Sequence, residues 1–282
     1  MSSINTNVSA MNALSIMRNV NSDLATTQER ISTGSKVNSA KDNAAYFAIS
    51  ETMKGDSGMY KAIDEGLTMT KNVVSTARLG AETFADLSTQ VAERVAFAQG
   101  VGVNLGDVES ELDALFERMQ TVVDQSTFNG VSMVDNATAV SVVTGVSRDS
   151  TGAFSTTSIS ISGQDLQDTL DTLKGALNAN PGDFAALNAA GLDTALEAAE
   201  TAMESSINSA TSLGISEKSI DTQQSFLKDL TDRLDKGVGS LVDADMEKEA
   251  ARLQSLQVQQ QLATQSLSIA NQAPQNIMAL FR

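Results

Sequence analysis

With neither His nor Cys among its 282 residues, this chain can do acid–base or nucleophilic chemistry only through Asp, Glu, Lys, Ser and Tyr. Carboxylates are plentiful, but their spacing is that of solvated helix faces. The densest group, "DADMEKEA" at 243–250, offers oxygen ligands that a hard cation accepts. The same spacing fits an acidic helix start better, with Asp243 or Asp245 as the cap and the other acids meeting the helix dipole. "GSKVNSAKDNAA" at 34–45 has the Gly and Lys of a phosphate loop but lacks the second Gly spaced before the Lys. No catalytic residue, metal ligand or cofactor site is therefore assigned.

The elements that would position such residues are almost all helical. Two Pro in 282 residues leave room for long helices, and Ala, Leu, Gln, Glu and Met dominate long stretches. The formal charge of −16 argues against a nucleic-acid surface and against docking on anionic lipid. The first residues lack a basic n-region and an unbroken apolar run, so a Sec-type signal is not expected there. From Leu253 to Phe281 no residue is charged, yet eight are Gln, which hydrocarbon would not accept. Membrane insertion is not expected.

Apolar residues recur at alternating three and four spacing. One run is Ile63, Leu67, Thr70, Val74, Ala77, Ala81, Phe84, Ser88, Val91, Val95 and Ala98, and a second helix follows "GVGVNLG" with Val108, Leu112, Leu115, Met119 and Val122. Leu213, Ile220, Leu227, Leu234 and Leu241 fall seven apart, which predicts a straight helix in coiled-coil-like packing. A helix starting near Leu192 would join it, with Gly214 weakening the join. Leu166, Leu170, Leu173 and Leu177 predict a shorter helix. Between the halves, residues 127–163 are rich in Val, Ser and Thr, and Asn129-Gly130 predicts two or three short hairpin strands. The fold class is mainly α: a long antiparallel coiled-coil-like bundle of N- and C-terminal regions around a small β-hairpin region.

Both ends carry thinner seams: Ala10, Ala13, Met17, Val20, Leu24, Thr27 and Ile31, and Leu253, Leu256, Gln260, Ala263, Leu267 and Ala270. Burying Ala, Thr and Gln stabilises little, so these helices need partners. The chain then closes on the apolar "NQAPQNIMALFR" at 271–282.

Four stretches, in order, resemble the bacterial flagellins: "INTNVSAMNAL" (4–14), "ERISTGSKVNSAKDNAAYFAIS" (29–50), "TFNGVSMV" (127–134) and "NQAPQNIMALFR" (271–282). The resemblance covers roughly residues 1–135 and 200–282. Its motif positions are Asn38, Ser39, Ala40, Lys41 and Asp42; Phe128, Asn129 and Gly130; and Pro274, Gln275 and Asn276. It implies a secreted, non-catalytic structural subunit that assembles into an open helical homopolymer, the extracellular flagellar filament. Residues 1–45 and 240–282 would form an inner tube. Residues 46–239 would form a rod-like layer with hairpins at about 127–163 and no large outer domain.

The expected assembly residues are Leu14, Met17, Leu24, Ile31, Leu256, Leu267, Ile277, Met278, Leu280 and Phe281. The resemblance further implies passage from the cytoplasm through the flagellar type III export apparatus. A cytosolic chaperone would cover the C-terminal segment, and the filament cap and hook-associated junction proteins would contact the polymer. Relatives are often O-glycosylated in the region corresponding to the Ser/Thr-rich 141–163. The zinc-peptidase insert of some relatives needs His ligands that are absent here. "TQVAERVAFAQG" (89–100) departs from the patch read by the host flagellin receptor, which implies weak recognition. Alternative readings are a hook–filament junction protein of the same family and a secreted coiled-coil effector or tip protein.

Overall fold

A computed structural model describes residues 7–148, 153–177 and 184–280. Six helices, α1 (Val8–Thr33), α2 (Ala44–Ala98), α3 (Leu105–Gln125), α4 (Leu166–Ala176), α5 (Ala189–Val242) and α6 (Met246–Leu280), account for most of it. Two antiparallel hairpins lie between α3 and α4: β1 (Thr127–Phe128) with β2 (Val131–Ser132), and β3 (Val140–Arg148) with β4 (Phe154–Ile161). The expected two or three strands are thus four, since Asn129-Gly130 closes a separate small hairpin. Both turn residues are left-handed, with φ of 51° and 77°, as a two-residue type I′ turn requires.

The chain divides into two compact units, Met1–Ser57 with Asp232–Arg282, and Gly58–Thr231. The second unit holds a dense core. The seam read along α2 is buried at Leu67, Val74, Ala77, Ala81, Phe84, Val91, Val95 and Ala98. It packs with Leu112, Phe116 and Met119 of α3, Leu166, Leu170 and Leu173 of α4, and Leu213, Ile220 and Leu227 of α5. At Gly80, α2 passes close to the residue that ends α3. A Cβ there would lie 2.0 Å from Ser126 Oγ and 2.7 Å from Ser126 Cβ.

Polar contacts hold the long hairpin on two helices of this unit. Tyr60 Oη of α2 donates to the Val146 carbonyl (3.0 Å), and Gln223 Nε2 of α5 donates to the Thr144 carbonyl (2.8 Å). The buried Gln224 donates to Thr68 Oγ1 (2.8 Å) and to the Asp64 carbonyl (3.3 Å), which sets the register of α5 against α2. A buried amide sandwiched this way favours one alignment over its slipped neighbours.

Two expectations about helix ends need correction. Gly214 does not weaken the join, since α5 is continuous from Ala189 to Val242. One Gly costs about 1 kcal/mol in a helix, and the fully buried Leu213 and Ile220 beside it outweigh that. Pro274 lies within α6, which runs to Leu280. α2 also starts earlier than its apolar run suggested, at Ala44, where Asn43 Oδ1 accepts the Tyr46 N–H at 3.0 Å as an N-cap.

Candidate assembly surface

The first unit is built around an antiparallel pair, α1 and α6, and the thin seams of the two helices face each other. Ala13, Val20 and Thr27 are buried on α1, and Leu256 and Ala263 on α6. Ala10, Met17, Leu24 and Ile31, with Leu253, Gln260, Leu267 and Ala270, are half-buried between them. Three polar contacts set the register. Asn7 Nδ2 donates to the Ala270 carbonyl (2.8 Å), Gln260 Nε2 to Asn21 Oδ1 (2.7 Å), and Arg30 Nη1 to Glu249 Oε1 (3.3 Å). Asn7 acts twice, because its Oδ1 also caps α1 by accepting the Ala10 N–H at 3.0 Å.

Gly34 (φ 72°) closes α1 in a left-handed C-cap, its N–H donating to the Arg30 carbonyl at 2.8 Å. The next residues pair with the α5–α6 junction: Lys36 N–H donates to the Val242 carbonyl (2.6 Å), and Ala244 N–H to the Gly34 carbonyl (2.8 Å). Asp245 caps α6 through the Lys248 N–H at 3.1 Å, the role expected of an acid in "DADMEKEA". The 38–42 motif forms a turn around one carboxylate. Asp42 Oδ2 accepts the N–H of Asn38 (3.1 Å), the N–H of Ser39 (3.0 Å) and the Ser39 hydroxyl (3.1 Å). These donors, the Asn38 N–H foremost, hold the Asp42 carboxyl below the ordinary carboxylate range, and the nearby Arg30 charge adds to them. Ala40 and Lys41 are exposed at the tip of this turn. Phe128 is half-buried in β1, with Asn129 and Gly130 exposed at its turn.

Of the expected assembly residues, Met17, Leu24, Ile31, Leu256 and Leu267 thus lie in the intramolecular seam, whereas Leu14 is exposed. Pro274, Gln275, Asn276, Ile277, Met278 and Leu280 continue α6, but their side chains, and Phe281 entirely, lie outside the described residues. The Ser/Thr candidates at 141–163 are not equivalent. Thr144 is buried and donates to the Thr157 carbonyl (3.3 Å), while Ser141, Ser147, Ser155, Thr156, Thr157, Ser158, Ser160 and Ser162 are exposed. Ser150 and Thr151 lie outside the described residues.

A second apolar stripe went unnoticed in the sequence. Val258, Leu262 and Ile269 of α6 are 55%, 60% and 64% exposed. At 100° per residue they fall together on the side of α6 opposite the Leu256–Ala263 seam. On α1, Val8, Met11 and Ile16 are also mostly exposed. The four- and seven-residue spacing of the α6 stripe was the available signal, but a longer and more regular seam on the same helix masks it. A helix without charge from Leu253 onward, apolar on two opposite faces and covered on one, is suited to a further protein contact rather than to catalysis. No helix among the described residues is long and apolar enough to cross a membrane.

Comparison with known proteins agrees with this geometry. Sequence models of the bacterial flagellin N-terminal and C-terminal helical regions match residues 4–139 and 196–281. A flagellin of Brucella melitensis is 36% identical over 285 residues, covering all of both chains, and flagellin FljK of Caulobacter vibrioides is 35% identical over 285 residues, covering all of this chain and 99% of its own. A solved chain assigned as a flagellar hook-associated protein of Vibrio parahaemolyticus shares the fold, with a TM-score of 0.54 and 13% identity over 73% of this chain and 99% of its own. Full-length similarity of this kind, on a helix pair that leaves an apolar face open, places the chain in the bacterial flagellins, the structural subunits of the flagellar filament.

Proposed function

We propose that copies of this chain polymerise chiefly through the α1–α6 pair, which its own fold leaves half-covered. The observation that carries this is the Val258, Leu262 and Ile269 stripe, exposed within the uncharged stretch of α6 and opposite its seam with α1. Burying a side chain of that size stabilises by about 1.5–3 kcal/mol, and repetition in every subunit makes a weak contact decisive. A contact between unlike faces whose rotation does not close a ring propagates as an open helix. In this reading residues 1–45 and 240–282 form the inner tube of the filament and 46–239 its rod-like layer. Leu14 of α1, with the 277–281 end of the chain, completes the contact between copies, while Met17, Leu24 and Ile31 hold together the pair that carries it.

The remaining partners are those that membership of the flagellin family implies. The chain leaves the cytoplasm through the flagellar type III export apparatus and joins an extracellular filament. A cytosolic chaperone covers the uncharged Leu253–Phe281 segment beforehand, since nothing in it opposes premature association. The filament cap and the hook-associated junction proteins meet the polymer at its ends. The chain acts without catalysis.

The test is a Leu262→Asp, Ile269→Asp variant, mixed with filament seeds and followed by sedimentation and negative-stain microscopy. Both positions face solvent in the monomer, so its circular dichroism should match that of the parent. Loss of filaments with an unchanged monomer spectrum is expected, and filaments of normal length from this variant would overturn the proposal.

A further inference from the structure

We infer that Met11 is a site of oxidative modification through which a hydroperoxide stops this chain from polymerising. The inference rests on the filament reading above. The chain holds no Cys, His or Trp, and 11 Met. A two-electron oxidant therefore meets thioethers as its main target, and a thioether becomes a sulfoxide, polar where the sulfur was apolar. The sulfur attacks one peroxide oxygen, so that an S–O bond forms as the O–O bond breaks. Sulfur is oxidised by two electrons and the peroxide reduced. The departing hydroxide takes the proton from the transferred oxygen and leaves as water.

Place in the fold separates the methionines. Met119 and Met133 are buried in the core of the second unit, and Met17, Met53, Met59 and Met203 are half-buried. Among the described residues, Met11, Met69 and Met246 are exposed, at 55%, 52% and 44%. Met69 belongs to the second unit, and Met246 opens α6 beside Glu247 and Lys248. Met11 alone of the three stands on the open apolar side of the α1–α6 pair. At 100° per residue it falls opposite the buried Ala13, Val20 and Thr27, with Val8 next to it. The Asn7–Ala270 and Asn21–Gln260 bonds bracket it and put it level with the turn of α6 that carries Leu267 and Ile269.

Little around Met11 can receive a sulfoxide. The first charged residue of the chain is Arg18. Of the neighbours one turn away, Asn7 is already bonded to Ala270, and Val8 and Leu14 have no side-chain donor, which leaves chiefly the Ser15 hydroxyl. In the monomer water satisfies the sulfoxide oxygen, so the fold is untouched. Between copies that oxygen must shed its water against an apolar face, and a buried acceptor left unpaired is costly. The same covering shields Met11 once it lies inside a polymer. Peroxide therefore acts on free subunits and spares finished filament.

The experiment treats the full-length monomer with hydrogen peroxide, maps sulfoxides by peptide mass and measures the critical concentration for polymerisation on untreated seeds. Three chains are compared, each with its own unoxidised form: the parent, Met11→Leu, and Met69→Leu combined with Met246→Leu. The expected rise is at least about tenfold for the parent and the double variant, and less than about twofold for Met11→Leu. The helical spectrum should not change, and methionine sulfoxide reductases for both epimers should restore the parent. Peroxide added to finished filaments should leave Met11 largely reduced. A Met11→Leu chain that loses assembly as the parent does overturns the proposal. So does a parent that polymerises unimpaired while carrying the Met11 sulfoxide, or a Met11 that stays reduced in the treated monomer. Absence of filaments from the untreated parent overturns the filament reading itself, a distinguishable outcome.

Discussion

Asp42 shows how one carboxylate can organise the link between two long helices. It gathers two backbone N–H groups and a hydroxyl within a five-residue turn, and the next residue, Asn43, caps α2. Its folded pKa lies below the ordinary value of about 3.9. A depressed carboxylate contributes stability that is complete above the unfolded pKa and lost as pH falls through the folded one. The turn should therefore be intact at neutral pH and loosen only below about pH 4. In a carbon-detected titration, Asp42 should ionise below the other exposed carboxylates, and the Asn38 and Ser39 amide shifts should follow its curve. Independent movement of those amides would contradict this account. Gly80 is the corresponding packing case. The Ser126 hydroxyl could rotate away from an added methyl, but its Cβ, at 2.7 Å, moves only with the backbone. Overpacking costs about 1–3 kcal/mol, against roughly 0.8 kcal/mol gained from Ala over Gly in a helix. Gly80→Ala should therefore lower Tm by several degrees, and adding Ser126→Gly should restore most of the loss. A Gly80→Ala melting curve identical to the parent's would show that α3 can move aside.

At the scale of elements, what was legible depended on how regular a seam was. The three-four run in α2 and the sevens in α5 stood out because each buries one continuous face of large residues. The first turns of α2 were not legible, since "ETMKGDSG" mixes charge with two glycines and buries only Ser57. The open stripe of α6 was missed for a related reason: Val258, Leu262 and Ile269 gain their meaning only once the opposite face is known to be occupied. The α1–α6 pair also holds a contact that no sequence pattern predicts. Glu249 is buried, its Oε1 meets Arg30 at 3.3 Å, and its Oε2 lacks a hydrogen-bond partner among the described residues. Removing the cation should leave a stranded carboxylate, a larger penalty than the ion pair is worth. Arg30→Ala should cost roughly 1–3 kcal/mol, after a discount for the partial exposure of Arg30. Arg30→Ala with Glu249→Leu should recover more than half of that. Thermal melts monitored through α6 amides would check both, and a double variant no better than the single would place the cost elsewhere.

For the whole molecule, the two units should differ sharply in stability before assembly. In the second, Phe84, Met119, Leu112, Leu170 and Leu213 are all at most 2% exposed, and four helices contribute them. The α1–α6 pair buries Ala13, Val20, Thr27, Leu256 and Ala263, with no aromatic among its fully covered described residues. Two helices on so small a seam exceed the stability of isolated helices only modestly. In hydrogen exchange on the monomer, amides of α1 and α6 should open at least about 100-fold more readily than those of α2 between Arg78 and Val95, a gap of roughly 2.8 kcal/mol. Polymerisation should close most of that gap, because covering the Val258–Ile269 stripe adds burial where the monomer has least. The stabilisation belongs to the polymer and depends on subunit concentration. Equal protection of both units in the monomer would mean that the thin seam suffices alone, and assembly would then have to draw its free energy from the second unit.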